Sequence, residues 1–430
     1  LGFTDTVGVL IAGSREPVTR NLLRHVRATG GRPAARLLLG RERATVAQAA
    51  LVGTAAAHAL DYDDYAYSNH VSALLVPAIL AEAERSGGNG ADMIEAYVAG
   101  YEVWGALMKR EPDHLHSKGW HPTGVFGPVG VAAALSRLRR LDAAQCANAL
   151  GLAAAAGGGV MDNFGTQAKP WQGARAAEAG VVAVELALAG VDAGRDAIDG
   201  SGGLLAALSP AGRADLTSAA DGLGKVWKSA SDGLNIKPHP TVGASQRGID
   251  AALDVQSRFS PAPESIESVT ARISEKHAAV MRLHRPTTAL QAKFSLEFGV
   301  AAALIAGRVG LAELTDEFVG RDDVQRLLAK VRLEIGPDDD PDYPVGAAYD
   351  TVSVRLDDGR VLDSERVYRF RGHGQNPMSA DEVGAKFRDC VAGHLSDAEA
   401  DALYRVLSGF GSIDDVDALP ILADNAAGAA

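Results

Sequence analysis

Cysteine is scarce. The 430 residues hold two, Cys146 and Cys390, far apart and without metal-ligand spacing. This excludes a disulfide framework and fits a reducing compartment, so a cytoplasmic protein is expected. Aromatic residues make up only 5 % of the chain. No apolar run reaches the ~18 residues that span a bilayer, so no membrane role is expected. Positive charge is in deficit, since 42 Lys and Arg stand against 54 Asp and Glu for a net charge of −12. No basic patch offsets this, which argues against a nucleic-acid partner. No signal-peptide pattern is visible, and a start at Leu1 rather than Met leaves room for a preceding segment.

What is present is alanine, glycine and helical periodicity. Hydrophobic residues are 47 % and charged residues 22 %, as in folded globular proteins. At this length two domains are expected. From Leu1 to about Arg258 apolar residues recur at helical spacing, as in Val76–Arg85, Ala91–Arg110, Val129–Leu141 and Ala174–Ala189. Asp142 with Gln145 reads as the cap of a helix running to Ala156. Abundant small residues predict close helix packing. After the linker Phe259–Glu264 the period changes to alternation, in Ser268–Ser274, Val331–Ile335 and Thr351–Arg355. The last of these turns at Asp357-Asp-Gly359 toward Glu365–Phe370, a hairpin pattern. Helical stretches at Ala289–Arg308 and Asp322–Lys330 lie between. From Ala380 helical spacing returns, and Asn425–Ala430 reads as a frayed end. The expectation is a mostly α protein: a large helical domain of residues 1–262 and 386–430, with a smaller α+β lid domain of residues 263–385 inserted.

Titratable residues gather where the helices break. Asp61-Tyr-Asp-Asp-Tyr65 and His70 place four carboxylate or imidazole groups in ten residues. Gly119-Trp-His-Pro-Thr123 sets His121 before a proline, with Trp120 beside it. Lys169 follows Gly165-Thr166, and Arg175 lies on the helix beyond. Lys237-Pro-His-Pro240 sets Lys237 and His239 between prolines. Breaks that carry such residues commonly line a site. For each there is a plainer reading: a turn histidine, a capping aspartate, a salt-bridged arginine or a packed aromatic ring. The carboxylates with His70 could also hold Mg²⁺ or Mn²⁺. Gly157-Gly-Gly159 and Gly200-Ser-Gly-Gly203 follow no predicted strand, so close packing explains them better than phosphate binding.

In order along the chain, these strings resemble the MmgE/PrpD family. The likeness includes Asp5-Thr-Val-Gly8, His58-Ala-Leu-Asp-Tyr-Asp-Asp64, Gly100-Tyr-Glu-Val103 and Gly119–Thr123. It goes on through Lys169, Lys237–Pro240, Ala292-Lys-Phe-Ser295 and Asn376-Pro-Met378. The resemblance implies a homodimer without metal or organic cofactor, acting on a small polycarboxylate as 2-methylcitrate dehydratases, cis-aconitate decarboxylases and iminodisuccinate epimerases do. It carries active-site roles to Asp61, His70, His121, Lys169 and Lys237. Four positions depart from the family pattern. Tyr65 replaces a common Thr, Gln172 and Gln246 each replace a His, and Val242 stands nearest an absent Cys. These changes set the chain apart from 2-methylcitrate, the family's commonest substrate.

The expected chemistry is loss of a proton or carboxyl group next to a carboxylate. His121 and Lys237 are the expected acid and base, with Asp61 and His70 supporting them. Lys169, Tyr65, Trp120, His239, Gln172 and Arg175 are expected to bind substrate. A 2-methylcitrate-dehydratase-like lyase is the first expectation. An isomerase, epimerase or decarboxylase is the second, and a non-catalytic binding homologue the third. Both His121 and Lys237 are expected in cleft-facing loops that carry little of the core packing.

Overall fold

The computed structural model describes residues 1–342, 346–420 and 422. The expected fraying of Asn425–Ala430 falls outside these residues. Helices dominate the first part: α1 Gly2–Gly13, α2 Pro17–Thr29, α3 Val46–Ala59, α4 Val71–Ser86 and α5 Gly90–Arg110. Next come α6 Pro122–Leu138, α7 Ala143–Ala154, α8 Ala168–Leu188, α9 Leu204–Leu208, α10 Lys228–Ser231 and α11 Gln246–Phe259. Between α2 and α3, β1 Ala35–Arg36 pairs antiparallel with β2 Arg43–Ala44. The later part runs β3 Ile266–Ser274, α12 Glu275–Val280, α13 Ala289–Ala292, α14 Leu296–Ala306, α15 Asp316–Val319 and α16 Asp322–Leu328. It continues with β4 Val331–Gly336, β5 Thr351–Leu356, β6 Val361–Asp363, α17 Ala380–Val391 and α18 Asp397–Ser408. The fold is mostly α with a small sheet. Among the described residues no helix is long and apolar enough to cross a membrane.

Reciprocal caps start many helices. Thr45, Asn89, Asp142, Ser379 and Ser396 each accept from the third helical amide, whose own side chain bonds back to the cap. Each such cap is worth about 1 kcal/mol. The helix expected after Asp142 is present and ends at Ala154. The stretch expected as one helix over Ala289–Arg308 is divided, because Ser295 caps a new start by accepting from Phe298 N at 3.2 Å.

Small residues let the helices close up. A Cβ at Gly127 of α6 would fall 2.5 Å from Leu74 of α4 and 3.1 Å from Ala176 of α8. One at Gly180 of α8 would fall 2.6 Å from Val131 of α6. The resulting core buries Leu74, Trp104, Phe126 and Val181, and it also takes in Phe387 of α17 and Leu403 and Leu407 of α18. A buried ion pair fixes that return: Lys386 Nζ lies 2.6 Å from Asp5 Oδ1 on α1 and donates to Tyr62 O at 2.8 Å.

A second core lies under the sheet, whose strand order is β4-β3-β5-β6. β3 pairs parallel with β4 (Val269 opposite Val331) and antiparallel with β5 (Val269 opposite Val354). Ile249 and Val255 of α11, Phe298 of α14 and Leu327 of α16 cover it. Helix α11 therefore packs on the sheet although it precedes Pro261. The hairpin turn at Asp357–Gly359 forms, with Gly359 at φ +87°. Its second strand is Val361–Asp363 rather than Glu365–Phe370. The ladder is cut short because the Ser364 hydroxyl accepts from Val352 N at 2.9 Å, and only Val367 pairs again, with Asp350.

Candidate active site

Three loops of the helical body and one segment from the sheet side meet here. The loop after α3 carries Asp61 in a left-handed conformation, φ +52°. It is zipped to the loop before α11: Tyr65 and Asn235 exchange backbone hydrogen bonds at 3.0 Å, and Tyr62 Oη donates to Pro238 O at 3.1 Å. That pairing carries Lys237 to Asp61 across 176 positions. His121 caps α6, and its backbone N–H donates to Gly159 O at 3.0 Å. Lys169 lies in the first turn of α8.

Asp61 is the hub. Its carboxylate pairs with Lys169 Nζ, and with Lys237 Nζ at 2.6 Å. Lys237 also donates to the Asp61 carbonyl. Burial favours the neutral acid, but Lys169 and Lys237 outweigh it and hold the carboxyl well below the usual carboxylate range. Burial lowers Lys169, Asp61 opposes that, and Lys237 adds to it. A third lysine approaches the same loop, as Lys293 Nζ donates to Ala59 O at 3.0 Å.

Asp63 forms a second hub. It is fully buried and meets His70 Nδ1 at 2.7 Å and His58 Nδ1 at 3.1 Å. Burial again opposes ionisation, and the two imidazoles overcome it to keep Asp63 well below its ordinary value. Burial pushes His70 down to about 3 despite Asp63, so its ring is neutral at pH 7. An ionised Asp63 accepts N–H from both Nδ1 atoms. His70 Nε2 is then the lone-pair nitrogen, and it lies 3.5 Å from Lys169 Nζ. His58, Asp63 and His70 place ligand-type atoms within 4.8 Å of one another. Both Nδ1 atoms are already turned onto Asp63, which closes the triad on itself as a hydrogen-bonded unit.

The pocket in front of these hubs is lined by His70, His114, His116, His121, Lys169, Lys276 and His277, with Tyr65, Ser68, Thr123, Phe164, Val242, Gly243, Ala244 and Val280. Five of the chain's 11 histidines are there, and no carboxylate. His121 is 1 % exposed, and neither ring nitrogen has a hydrogen-bond partner among the described residues. Its ring meets Phe164 edge-on at 5.1 Å. Burial, then the Lys169 charge, pushes His121 well below its ordinary value.

Of the expected site residues, His70, His121, Lys169 and Tyr65 line this pocket, and Asp61 lies directly behind it. Lys237 is fully buried behind Asp61 and does not line the pocket, so the expectation of a cleft-facing base is corrected. Four expected substrate ligands are also elsewhere. Gln172 clasps the backbone of Val160, accepting from its N–H and donating to its carbonyl at 3.2 Å. Arg175 donates to Ala156 O at 3.0 Å. His239 lies between Val309 O and Asp250. Trp120 packs beside the larger core and pairs with Val160. Gln246 likewise holds its own loop, donating to His239 O and Thr241 O at 3.1 Å. Of the four departures, only Tyr65 and Val242 reach the pocket wall.

Sequence reasoning passed over His58, His114, His116, Lys276 and His277. The signal for the pair was His114-x-His116 in a helix break. The others lie inside helices, where nothing in the sequence separates a pocket residue from a core one.

The chain matches a family model described as the MmgE/PrpD N-terminal domain over residues 1–217, and one described as the MmgE/PrpD C-terminal domain over residues 239–407. It is 29 % identical over 390 residues to the cis-aconitate decarboxylase of Mus musculus, covering 86 % of this chain and 77 % of that one. The Homo sapiens protein of the same name is 29 % identical over 391 residues, covering 87 % and 78 %. An Aspergillus terreus protein of that name is 24 % identical over 398 residues, covering 86 % and 80 %. With both halves matched, and with the Asp61, His121 and Lys169 strings meeting at one pocket, the chain belongs to the MmgE/PrpD family.

Proposed function

We propose that the chain is a lyase acting on a small polycarboxylate, and that it removes a carboxyl group as carbon dioxide. The observation that carries this is the pocket itself: among the described residues it holds five imidazoles, two ammonium groups and no carboxylate, and the buried His121 has no hydrogen-bond partner among them. An unpartnered buried polar ring costs about 1–3 kcal/mol, which a bound carboxylate would offset. The relatives named cis-aconitate decarboxylase move the weight from dehydration to decarboxylation.

In this reading Lys169 and His121 hold the substrate carboxylates. Phe164, Val242 and Val280 give the leaving carboxylate apolar surroundings, which favour neutral carbon dioxide over the anion. The carbon–carbon bond breaks and its electron pair stays on the substrate. The retained carboxylates, held by cations, spread that charge. A proton then goes to carbon from Lys169, with His70 Nε2 next to it as the relay. Asp61 keeps Lys169 in place.

Dehydration is the second reading. It is favoured by His70 backed by Asp63, an orientation suited to starting a reaction by proton abstraction.

Incubation of the protein with cis-aconitate, 2-methylcitrate and related acids in deuterated water separates the readings. Carbon dioxide release with deuterium in the product supports decarboxylation. A new alkene without carbon dioxide supports dehydration, and exchange alone supports isomerisation. Silence with every acid would sink the lyase reading. Exhaustive chelation is expected to leave turnover unchanged, and loss restored by Mg²⁺ or Mn²⁺ would refute metal independence.

A further inference from the structure

The reacting cluster occupies one end of the pocket only. The other end is built from different parts of the chain. His114 and His116 come from the turn at Leu115–Lys118, between α5 and α6, and Lys276 and His277 come from α12 on the sheet side. His116 Nδ1 lies 3.2 Å from His114 Nε2, so one ring donates to the other and each keeps a second nitrogen for a further partner. Lys276 Nζ lies 3.7 Å from Asp338, with 36 % of its side chain exposed, so it reaches the pocket from the solvent side.

Phe164 lies near both groups. His121 and Lys169 lie 5.1 and 5.4 Å from the centroid of its ring, and His116 lies 6.1 Å from the same centroid. Nitrogen donors from both groups therefore lie around one phenyl ring, and among the described residues no acidic side chain lines the pocket. A monocarboxylate would meet one group of nitrogen donors only. An acid with carboxylates at both ends of a short carbon frame would satisfy both.

Resting on the lyase reading above, we propose that His114, His116 and Lys276 form a second anion subsite, which takes the substrate carboxylate farthest from the reacting carbon. The subsite would set substrate length, while Lys169 and His70 carry the chemistry and His121 holds the nearer carboxylate.

The test compares wild type with His116→Gln and Lys276→Met, using propane-1,2,3-tricarboxylate and butyrate as probes in ligand-observed NMR. Gln keeps a donor at position 116, and the partly exposed Lys276 carries little packing, so melting curves should match wild type. The expected result is a tricarboxylate Kd raised about tenfold or more in both variants, the scale of a lost hydrogen bond to a charged group. Butyrate binding should be unchanged. On the substrate that wild type turns over, KM should rise while kcat stays within about threefold. Tricarboxylate binding within twofold of wild type in both variants would overturn the subsite and leave the lyase reading standing. A wild type that binds neither probe would overturn both.

Discussion

At the scale of single residues, partner count decides what a substitution does. His121 lines the pocket with neither nitrogen bonded among the described residues, whereas Lys237 is enclosed by Asp61. His121→Ala is expected to lower kcat/KM by about 10²-fold or more with a melting temperature near wild type. Lys237→Ala should also lower the melting temperature, because it leaves Asp61 buried with one cation fewer, a change worth about 3–5 kcal/mol. Kinetics with thermal melting on the two variants checks this, and equal melting temperatures would refute the distinction. Asp63 acts one step back from the chemistry, as a positioning residue for His70. Asp63→Asn replaces an acceptor by an amide, so the Nδ1–H form of His70 is no longer enforced. Turnover should drop about 10²–10⁴-fold while ¹⁵N spectra show His70 changing its protonated nitrogen. An unchanged tautomer would end that role. At this scale the sequence was partly legible. His121 and Lys169 stand at Pro- or Gly-marked breaks, where chain conformation is set locally, and His70 stands in the Asp-rich break after α3. Gln172 was expected to bind substrate, but its side chain serves the nearby Val160 backbone, and no sequence pattern says which way an amide points.

Elements show the same division between local and distant causes. Capping signals such as Asp142 with Gln145 act within one turn, and the helices they announce are present. The strand expected at Glu365–Phe370 depended on how far a ladder continues, which the Ser364 hydroxyl ends early. Helix α17 is placed by distant contacts: Phe387 and Val391 pack into the larger core, and a buried ion pair joins it to α1. Lys386 enters the larger core to meet Asp5 of α1 and the carbonyl of Tyr62, the residue next to Asp61 in the loop that carries the hub. Lys386→Met keeps the length of the side chain and removes the charge. It should cost about 3–5 kcal/mol, because Asp5 is left buried without its cation. Chemical denaturation would measure this, and a loss below 1 kcal/mol would show that Asp5 finds another partner.

For the whole molecule, the switch from helical to alternating periods led to an expectation of two domains, while the packing of α11 on the sheet side needed three dimensions to see. Burial of many histidines in neutral form also makes a global prediction. His70 and His277 are held at about 3 and His114 at about 4, chiefly by burial, against an ordinary 6.5. The unfolded chain therefore takes up protons first as pH falls. Stability held by these neutral rings is complete above about pH 6.5 and is withdrawn as pH falls toward 3. Asp61 and Asp63, held below their ordinary values, add a loss at the acid end of that window. Calorimetry from pH 7 to 4 should show a steep fall in melting temperature, shallower in His70→Gln, and a flat profile would contradict the neutral assignment. The neutrality of the pocket histidines has one more consequence. An unprotonated imidazole is a nucleophile toward acylating reagents, but only where the reagent can reach it. His114 and His116, which are only partly buried, should therefore be acylated before the buried His121, and a seated polycarboxylate should shield all three. The order of modification, read by mass spectrometry, becomes a ruler of depth and occupancy that needs no knowledge of the reaction.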